Sequence, residues 1–270
     1  MDVRVWMNFD PGKVDLSYLL QRFRELGYGV DAEAVPAGHA EAVLEKARKA
    51  DVVIAAMEEW NEKMLSAVAG KVRLIQKYGT GLDTIDLEAA GRHGIAVANI
   101  PGANAAAVAE VALLHILNVG RKFVPCVCGV KNGRWDSTVT GTELDGKTVG
   151  LLGYGRIAKN LARMLGGFRV DILAYDPFVQ SIPAQDGVTP VQSAEELFKR
   201  SDIVSLHIPS TEETKGSVGR NLFSLMKKGA YLVNTCRGDV VKEADLADAL
   251  QSGEIAAAGL DVLAVEPPDA

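Results

Sequence analysis

The sequence contains little cysteine, little histidine and few aromatic residues. Its three cysteines, Cys126, Cys128 and Cys236, are too few and too unevenly spaced for a disulfide framework or a four-ligand zinc site. Cys126 and Cys128 could share a metal only with ligands from elsewhere in the chain, and two thiols near a helix end are the simpler interpretation. The sequence therefore predicts no metal centre.

An excess of basic residues and a long apolar run are also missing. The formal net charge is −6 at pH 7, which disfavours a nucleic-acid-binding surface. The longest apolar stretch, residues 105–119, is interrupted by Glu110, His115 and Asn118 and is too short to span a bilayer. The chain begins without the basic and apolar regions of a secretory signal. We expect a cytoplasmic protein with no membrane or nucleic-acid partner.

Short β-branched runs alternate with helical periodicity along the chain. The predicted strands lie at residues 3–7, 52–56, 73–77, 95–98, 148–152, 170–175, 203–207, 230–234 and 257–261. This alternation is typical of an α/β fold whose parallel sheets are covered by helices on both faces. Ile100-Pro101-Gly102 interrupts the series, and Asn104 is a candidate N-cap for an apolar helix expected at a domain or subunit interface. We predict two doubly wound parallel-sheet domains, over residues 1–100 and 101–270.

Residues 148–158 combine a predicted strand with a glycine-rich turn. The strand runs directly into Gly153-Tyr154-Gly155-Arg156-Ile157-Ala158, which opens a predicted helix. In dinucleotide sites of this GxGxxA pattern, the first glycine permits the turn, the second lets backbone approach a pyrophosphate, and the alanine permits close helix packing. The helix N-terminus offers N–H groups and a positive dipole end to the phosphates. The second domain is therefore predicted to be a Rossmann dinucleotide-binding domain.

An acidic residue follows this turn at the distance that a ribose-binding carboxylate needs. Asp176 ends the next predicted strand, 18 residues after Ala158, close to the spacing of about 20 in such sites. A carboxylate there accepts the ribose hydroxyls and repels a 2′-phosphate, so the predicted cofactor is NAD rather than NADP. A second GxGxxA match begins at Gly27, but it lies between a helix and a strand, and we interpret Gly27 as a helix C-cap.

Arg237 is the strongest candidate for a substrate contact. It lies in the segment Asn234–Gly238, directly after a predicted apolar strand, and open α/β sheets bind ligands beyond the carboxyl ends of their strands. The planar guanidinium suits two-point binding of a carboxylate. The structural alternative is an arginine that pairs with a surface acid at a helix start.

A series of short segments, in a fixed order, resembles a known family. The segments are residues 77–86 (Lys-Tyr-Gly-Thr-Gly-Leu-Asp-Thr-Ile-Asp), 94–95, 101–104, 108–110, 153–158, 207–209, 234–238, 260–262 and 266–267. Together they resemble the D-2-hydroxyacid dehydrogenases, which include phosphoglycerate dehydrogenases. The resemblance implies hydride transfer between nicotinamide and C2 of a small 2-hydroxyacid or 2-oxoacid, such as 3-phosphoglycerate, glyoxylate or hydroxypyruvate. It also implies an N-terminal flavodoxin-like substrate domain, an active site in the cleft beside the NAD domain, and a homodimer through the NAD domain.

The resemblance implies roles for individual residues as well. Arg237 would bind the substrate carboxylate and carbonyl, and Glu266 would orient the catalytic histidine and raise its basicity. Backbone N–H groups around Tyr78, Gly79 and Thr80 would hold the substrate carboxylate. The implied cofactor contacts are Gly153, Gly155, Arg156, Ile157, Asp176, Ile208, Pro209, Thr235, Cys236 and, for the nicotinamide carboxamide, Asp261.

The acid/base histidine of the family is expected after Glu266-Pro267, and this chain ends at Ala270. The four histidines that it contains, which all precede Glu266 and do not fit that position, are His39, His93, His115 and His207. We therefore expect a C-terminally incomplete chain that binds NADH with almost no turnover. The rival hypothesis is a non-catalytic NAD-binding sensor or corepressor on the same scaffold. The presence of both Arg237 and Glu266 favours the enzyme, because a sensor needs neither.

Overall fold

The computed structural model describes residues 3–36 and 38–268 of the chain. The chain divides into two compact units, Met1–Asn104 and Ala105–Ala270, which we call unit 1 and unit 2. Every pairing between the strands of the described residues is parallel. The α/β class with two parallel sheets is therefore confirmed, and the division lies four residues beyond the predicted boundary at residue 100.

Unit 1 is built on a five-stranded sheet in the order β2-β1-β3-β4-β5, the flavodoxin-like arrangement. Its elements are β1 (Arg4–Met7), α1 (Ser17–Glu25), β2 (Gly29–Ala32), α2 (Ala40–Ala47), β3 (Val52–Ala55), α3 (Glu62–Val68), β4 (Leu74–Lys77), α4 (Leu87–Arg92) and β5 (Ala96–Ala98). Successive side chains of a strand point to opposite faces. Trp6 accordingly packs with helices α2 to α4, while its neighbours Val5 and Met7 pack with α1.

Unit 2 is built on a six-stranded sheet in the order β11-β10-β9-β6-β7-β8. Its elements are α5 (Ala105–Gly120), α6 (Phe123–Lys131), β6 (Thr148–Leu152), α7 (Arg156–Leu165), β7 (Asp171–Tyr175), β8 (Val188–Pro190), α8 (Ala194–Arg200), β9 (Ile203–Leu206), α9 (Arg220–Phe223), β10 (Ala230–Asn234), α10 (Glu243–Ser252) and β11 (Ile255–Leu260). Short 3₁₀ turns lie at Ala184–Asp186 and Gly238–Val240. Counted from its other edge, this sheet has the strand order of the Rossmann fold, and the order reverses between β6 and β9.

Two local predictions can be compared directly with the structure. The interpretation of Gly27 as a helix C-cap is confirmed, because Gly27 has φ +75° and Tyr28 N donates to Phe23 O at 2.9 Å behind it. The strand β8 was not predicted. It is a three-residue edge strand that ends in Pro190 and has one buried residue, Val188, so it lacks the apolar run of an interior strand.

Helix α5 buries a narrower surface than its composition predicts. Its buried positions are Ala105, Ala109, Ala112, Ile116 and Gly120. This stripe packs on α7 and on strands β10 and β11, whereas Leu114 is more than half exposed. Among residues 3–36 and 38–268, no single helix is long and apolar enough to cross a membrane. Helices α5 and α6 pass that test only as a pair bent by 67°.

Candidate active site

The two glycines of the turn after β6 differ in what surrounds them. Gly153 has φ +92°, and a Cβ on it would lie 2.6 Å from the carbonyl oxygen of His207, so both its conformation and its packing demand glycine. Gly155 has an ordinary φ of −82°, and, apart from Gly155 and its two chain neighbours, no described residue has an atom within 4 Å of the Cβ that another residue would place there. Neither conformation nor packing explains Gly155. The open space above it fits a bound group that must approach the backbone closely.

Helix α7 begins directly at this open space. Gly155 is its N-cap and supplies no side-chain acceptor, so the N–H groups of the first turn have no capping side chain. Such groups are satisfied by caps, by water or by ligands, and their positive dipole end favours an anion. Ala158 at the third position of the helix is fully buried, which lets the helix lie close to the sheet. This arrangement fits a pyrophosphate.

Asp176 is held beside the same turn by two backbone groups. Its Oδ2 accepts a hydrogen bond from Tyr154 N at 2.8 Å, and its Oδ1 accepts one from Phe178 N at 2.9 Å. A carboxylate has about four acceptor positions, so each oxygen keeps capacity for a further donor. The carboxylate is thus both oriented and able to accept ribose hydroxyls.

Buried polar atoms without partners lie at the ends of β9 and β10. Both ring nitrogens of His207 and Thr235 Oγ1 are buried and have no hydrogen-bond partner among the described residues. Burial lowers the pKa of His207 to about 4, so its ring is neutral at pH 7. A buried polar group left unsatisfied costs about 1–3 kcal/mol. These atoms fit a site in which a bound group supplies part of the hydrogen bonding.

The side chain of Asn234 shapes the turn that carries Arg237. Asn234 Nδ2 donates to Arg237 O at 2.9 Å, and Asn234 Oδ1 accepts from Cys236 N at 3.0 Å. Arg237 itself is half-buried, and its Nη1 donates to Cys236 O at 2.6 Å. Sequence reasoning assigned no role to Asn234. The available signal was a polar residue at the last position of an otherwise apolar strand.

The segment of residues 261–266 lies directly on the Arg237 turn. A Cβ on Gly238 would lie only 1.9 Å from the carbonyl carbon of Leu263, so glycine is required for this contact. Glu266 Oε1 accepts a hydrogen bond from Leu263 N at 2.8 Å. Asp261, at the end of β11, is exposed, and its N–H donates to Asn234 O at 2.9 Å. The structure therefore brings the turn of Arg237 and the segments of Asp261 and Glu266 together.

In unit 1 the segment of residues 78–80 follows β4, and the prediction for it needs one correction. Tyr78 N donates to Ala55 O at 2.9 Å, so this N–H continues the pairing of the sheet and does not face a ligand. No acceptor among the described residues takes the N–H of Gly79 or Thr80. Asn99 Nδ2 donates to Thr80 O at 2.7 Å and holds the segment in place. Of the three predicted donors, Gly79 and Thr80 remain.

The four histidines occupy separate places in the two units. His39 is exposed and precedes α2, and His93 ends α4 with its Nε2 2.8 Å from Glu62 Oε1. In unit 2, His115 is half-buried on α5, with its Cβ 2.8 Å from where a Cβ on Gly259 would lie. The backbone of His207 lies close to the turn at Gly153, where a Cβ would come within 2.6 Å of His207 O.

Comparison with known proteins assigns the chain to a family. Residues 113–270 match the family described as D-isomer specific 2-hydroxyacid dehydrogenase, NAD binding domain. The chain belongs to the D-isomer specific 2-hydroxyacid dehydrogenase family. The matched range contains the turn at Gly153, Asp176, Arg237 and Glu266, all of which lie in unit 2.

Relatives within this family differ in their length. The glyoxylate reductase of Thermococcus litoralis is 36% identical over 257 residues, which cover 92% of this chain and 77% of that protein. The D-3-phosphoglycerate dehydrogenases of Methanocaldococcus jannaschii and Archaeoglobus fulgidus are 38% and 34% identical, over 84% and 89% of this chain. The chain spans 44% and 46% of the length of these two dehydrogenases.

Solved structures of the family superpose over nearly the whole chain. A glyoxylate reductase from Paecilomyes thermophila gives a TM-score of 0.88 at 27% identity, covering 99% of this chain and 83% of that chain. The holo form of Rhodotorula graminis D-mandelate dehydrogenase gives 0.88 at 28% identity, covering 100% and 84%. The family fold therefore extends through both units.

Proposed function

We propose that this chain belongs to an NAD-dependent oxidoreductase that transfers a hydride between nicotinamide and C2 of a small 2-hydroxyacid or 2-oxoacid. The observation that carries the proposal is the open space above Gly155, at an uncapped helix N-terminus and beside the oriented carboxylate of Asp176. Relatives named glyoxylate reductase, hydroxypyruvate reductase and D-3-phosphoglycerate dehydrogenase support the substrate class. Nothing in these comparisons favours a non-catalytic sensor, which would leave Arg237 and Glu266 without a task.

In this proposal unit 2 is the NAD domain. The first-turn N–H groups of α7, with Arg156 and Ile157, bind the pyrophosphate, and Asp176 binds the adenosine ribose. The residues assigned to the rest of the cofactor groove are Ile208, Pro209, Thr235, Cys236 and, for the carboxamide, Asp261. When it is bound, the nicotinamide supplies or accepts the hydride. The hydroxyl of Thr235 is buried without a partner among the described residues, which suits a contact with the cofactor.

In unit 2, we assign substrate binding to Arg237. Unit 1, taken by itself, is the substrate domain of this proposal, and its candidate anion donors are the N–H groups of Gly79 and Thr80. Reduction at C2 places negative charge on the former carbonyl oxygen, and a guanidinium oriented in advance stabilises that charge. Asn234 is hydrogen-bonded to the backbone of Arg237, and the adjacent Gly238 packs closely against Leu263, so both hold the turn that carries Arg237. Glu266 Oε1 accepts a hydrogen bond from Leu263 N. We assign its Oε2 to orienting the acid/base histidine of the family.

Asp176 should decide the choice of cofactor. The protein should bind NADH at least about tenfold more tightly than NADPH, and Asp176→Ala should narrow this ratio by about tenfold, or about 1.4 kcal/mol. The carboxylate accepts ribose hydroxyls and repels a 2′-phosphate, whereas alanine does neither. Fluorescence titration with both cofactors measures the ratio. Asp176→Asn is the matched variant, because it keeps an acceptor for one of the two backbone N–H groups. Equal binding of NADH and NADPH by the unmodified protein would contradict the assignment.

We also propose a homodimer that forms through unit 2. Helix α6 has no buried residue. Its apolar side chains Phe123, Val124 and Val130 are 56%, 55% and 57% exposed, and Trp135 just beyond it is 86% exposed. Several exposed apolar side chains on one short segment are typical of an interaction site. The resemblance to the family favours a second copy of the chain as the partner.

The cysteines offer a test of this dimer. Cys126 and Cys128 lie exposed on α6, whereas Cys236 is buried, and burial raises the pKa of its thiol. We expect alkylation of Cys126 and Cys128 to slow as protein concentration rises, in step with dimer formation in sedimentation velocity. Cys236 should react slowly at every concentration and serves as the internal control. A dimer whose α6 cysteines react at the monomer rate would place the interface elsewhere, and a monomer at all concentrations would refute the dimer.

A further inference from the structure

Tyr154, the residue between the two glycines of the turn, joins that turn to a distant loop. Its side chain is 1% exposed and packs in the core with Leu161 and Leu165 of α7. Its Oη donates a hydrogen bond to Asp186 Oδ2 at 2.9 Å. Asp186 ends the short 3₁₀ turn in the loop between β7 and β8. Tyr154 occupies the second position of the GxGxxA pattern, where the pattern accepts any residue.

The same residue also contacts Asp176. Tyr154 N is one of the two donors that orient the Asp176 carboxylate, at 2.8 Å from Oδ2. The backbone of Tyr154 therefore touches the residue assigned to the ribose, while its hydroxyl holds the loop that follows that residue. Val179 and Ile182 of this loop pack against the core cluster that contains the Tyr154 ring. Hydrophobic packing and the hydrogen bond thus act on the loop together.

The loop forms one wall of a cavity beside Asp176. The cavity has a volume of about 240 Å³ and is lined by residues 174–176, 179–182 and 190–192. Its remaining walls come from the ends of β7 and β8, which the sheet holds in place. The position of the loop therefore decides the shape of the space next to the Asp176 carboxylate.

The hydrogen bond is well suited to a constant structural role. Burial, followed by the nearby Asp186 carboxylate, raises the pKa of Tyr154 far above neutrality, so the hydroxyl remains a donor at every working pH. A hydrogen bond to a carboxylate is about twice as strong as one between neutral groups. The Lys159 ammonium lies 5.6 Å from the centre of the same ring and is exposed. It contacts Tyr154 without taking part in the bond to Asp186.

We propose that Tyr154 and Asp186 are positioning residues for the adenosine half of the dinucleotide, and that their hydrogen bond strengthens the preference for NADH over NADPH that the Asp176 carboxylate provides. The inference rests on the proposed function, because it requires a dinucleotide at this turn. With the bond intact, the loop and the Asp176 carboxylate are held in the binding geometry. Without it, the loop populates other positions, and the apparent affinity falls in proportion to the fraction of competent molecules.

Tyr154→Phe removes only the hydroxyl and keeps the packed ring, and Asp186→Asn removes the charge from the other side of the bond. Each variant should weaken binding of NADH and of AMP by about five- to twentyfold, and should narrow the NADH-to-NADPH ratio by about threefold or more. The double variant should be no weaker than the single ones, since both remove one interaction. Amide hydrogen exchange of residues 177–187 without cofactor should become faster in all three. Lys159→Ala is the matched control and should leave the NADH-to-NADPH ratio and the exchange unchanged.

Several outcomes separate the inference from the proposed function. If the unmodified protein binds neither NADH nor AMP, the proposed function fails. If it binds NADH, and Tyr154→Phe and Asp186→Asn keep the same affinity and the same ratio, the inference alone fails. An additive double variant, or a Lys159→Ala variant with an equal effect on the ratio, would also overturn it. Melting temperatures of all variants show whether each is folded, and Asp186→Asn, at a half-buried position, remains informative if Tyr154→Phe unfolds.

Discussion

Replacing Arg237 with lysine should lower kcat/KM for the best 2-oxoacid by about 10²–10³-fold while leaving the Kd for NADH unchanged. Lysine keeps the charge but loses the planar fork that binds a carboxylate and a carbonyl oxygen together. The structure supports this expectation, because the contacts of Asn234 and Gly238 hold the turn that carries Arg237. A lysine on the same turn would offer a single ammonium in place of the guanidinium fork. Steady-state kinetics with glyoxylate, hydroxypyruvate and phosphohydroxypyruvate, on protein expressed from the complete gene, measure the effect.

The matched control for this change is Arg220→Lys. Arg220 is two-thirds exposed and pairs with Asp248 at the surface of unit 2, so its exchange should leave kcat/KM within about twofold, as for other surface pairs. An Arg237→Lys variant with most of its activity would remove Arg237 from the proposed chemistry. A variant that instead lost NADH binding would place Arg237 in the cofactor site.

Replacing Gly155 with valine should weaken NADH binding by about 10²-fold or more, or about 2.8 kcal/mol. It should lower the free energy of unfolding by only about 1 kcal/mol, because valine is a poorer N-cap than glycine. The backbone of Gly155 has φ −82° and ψ −163°, which valine adopts without strain, and the space above it is open. The valine side chain would fill the space assigned to the pyrophosphate. Isothermal titration gives the Kd, and chemical denaturation gives the stability.

Gly153 provides the contrasting control, because it has the opposite environment. Gly153→Ala adds a Cβ 2.6 Å from His207 O at a positive φ, so it should lower stability as well as cofactor affinity. The two variants would then show that Gly155 is needed for binding the cofactor, whereas Gly153 is needed for the folded structure as well. Unchanged NADH binding in Gly155→Val would show that the pyrophosphate does not pass over Gly155, and the dinucleotide assignment would need another location.

The parts of the site that lie within a few residues of one another were predictable. The strand, the turn at Gly153 and the start of α7 follow from contiguous residues, since turn geometry and helix initiation are local properties. The position of Asp176 beside this turn was predictable from its spacing, because one strand, β7, separates it from the residues that follow the helix. The two sheet orders, flavodoxin-like and Rossmann, agree with the prediction because alternating strands and helices permit few topologies.

Contacts between distant segments were not predictable from local patterns. The short edge strand β8 has no apolar run to reveal it. The sequence does not distinguish the backbone N–H of Tyr78 from that of Gly79 as a donor to a ligand. Only the register of β3 and β4 shows that Tyr78 N donates to Ala55 O. Gly238 looks like any glycine of a turn until Leu263 is placed against it.

The sequence by itself determined the fold class, the glycine-rich turn after β6, the acidic residue at the end of β7 and the family to which the chain belongs. Each of these depends on residue type and spacing along the chain, which are set before any long-range contact forms. The tertiary structure alone decided which donors remain for a ligand, what supports Arg237, and that Tyr154 reaches Asp186. Those features arise where the ends of parallel strands meet at one edge of a sheet. The order of the strands in the sheet differs from their order in the chain, and it is the order in the sheet that brings such residues together.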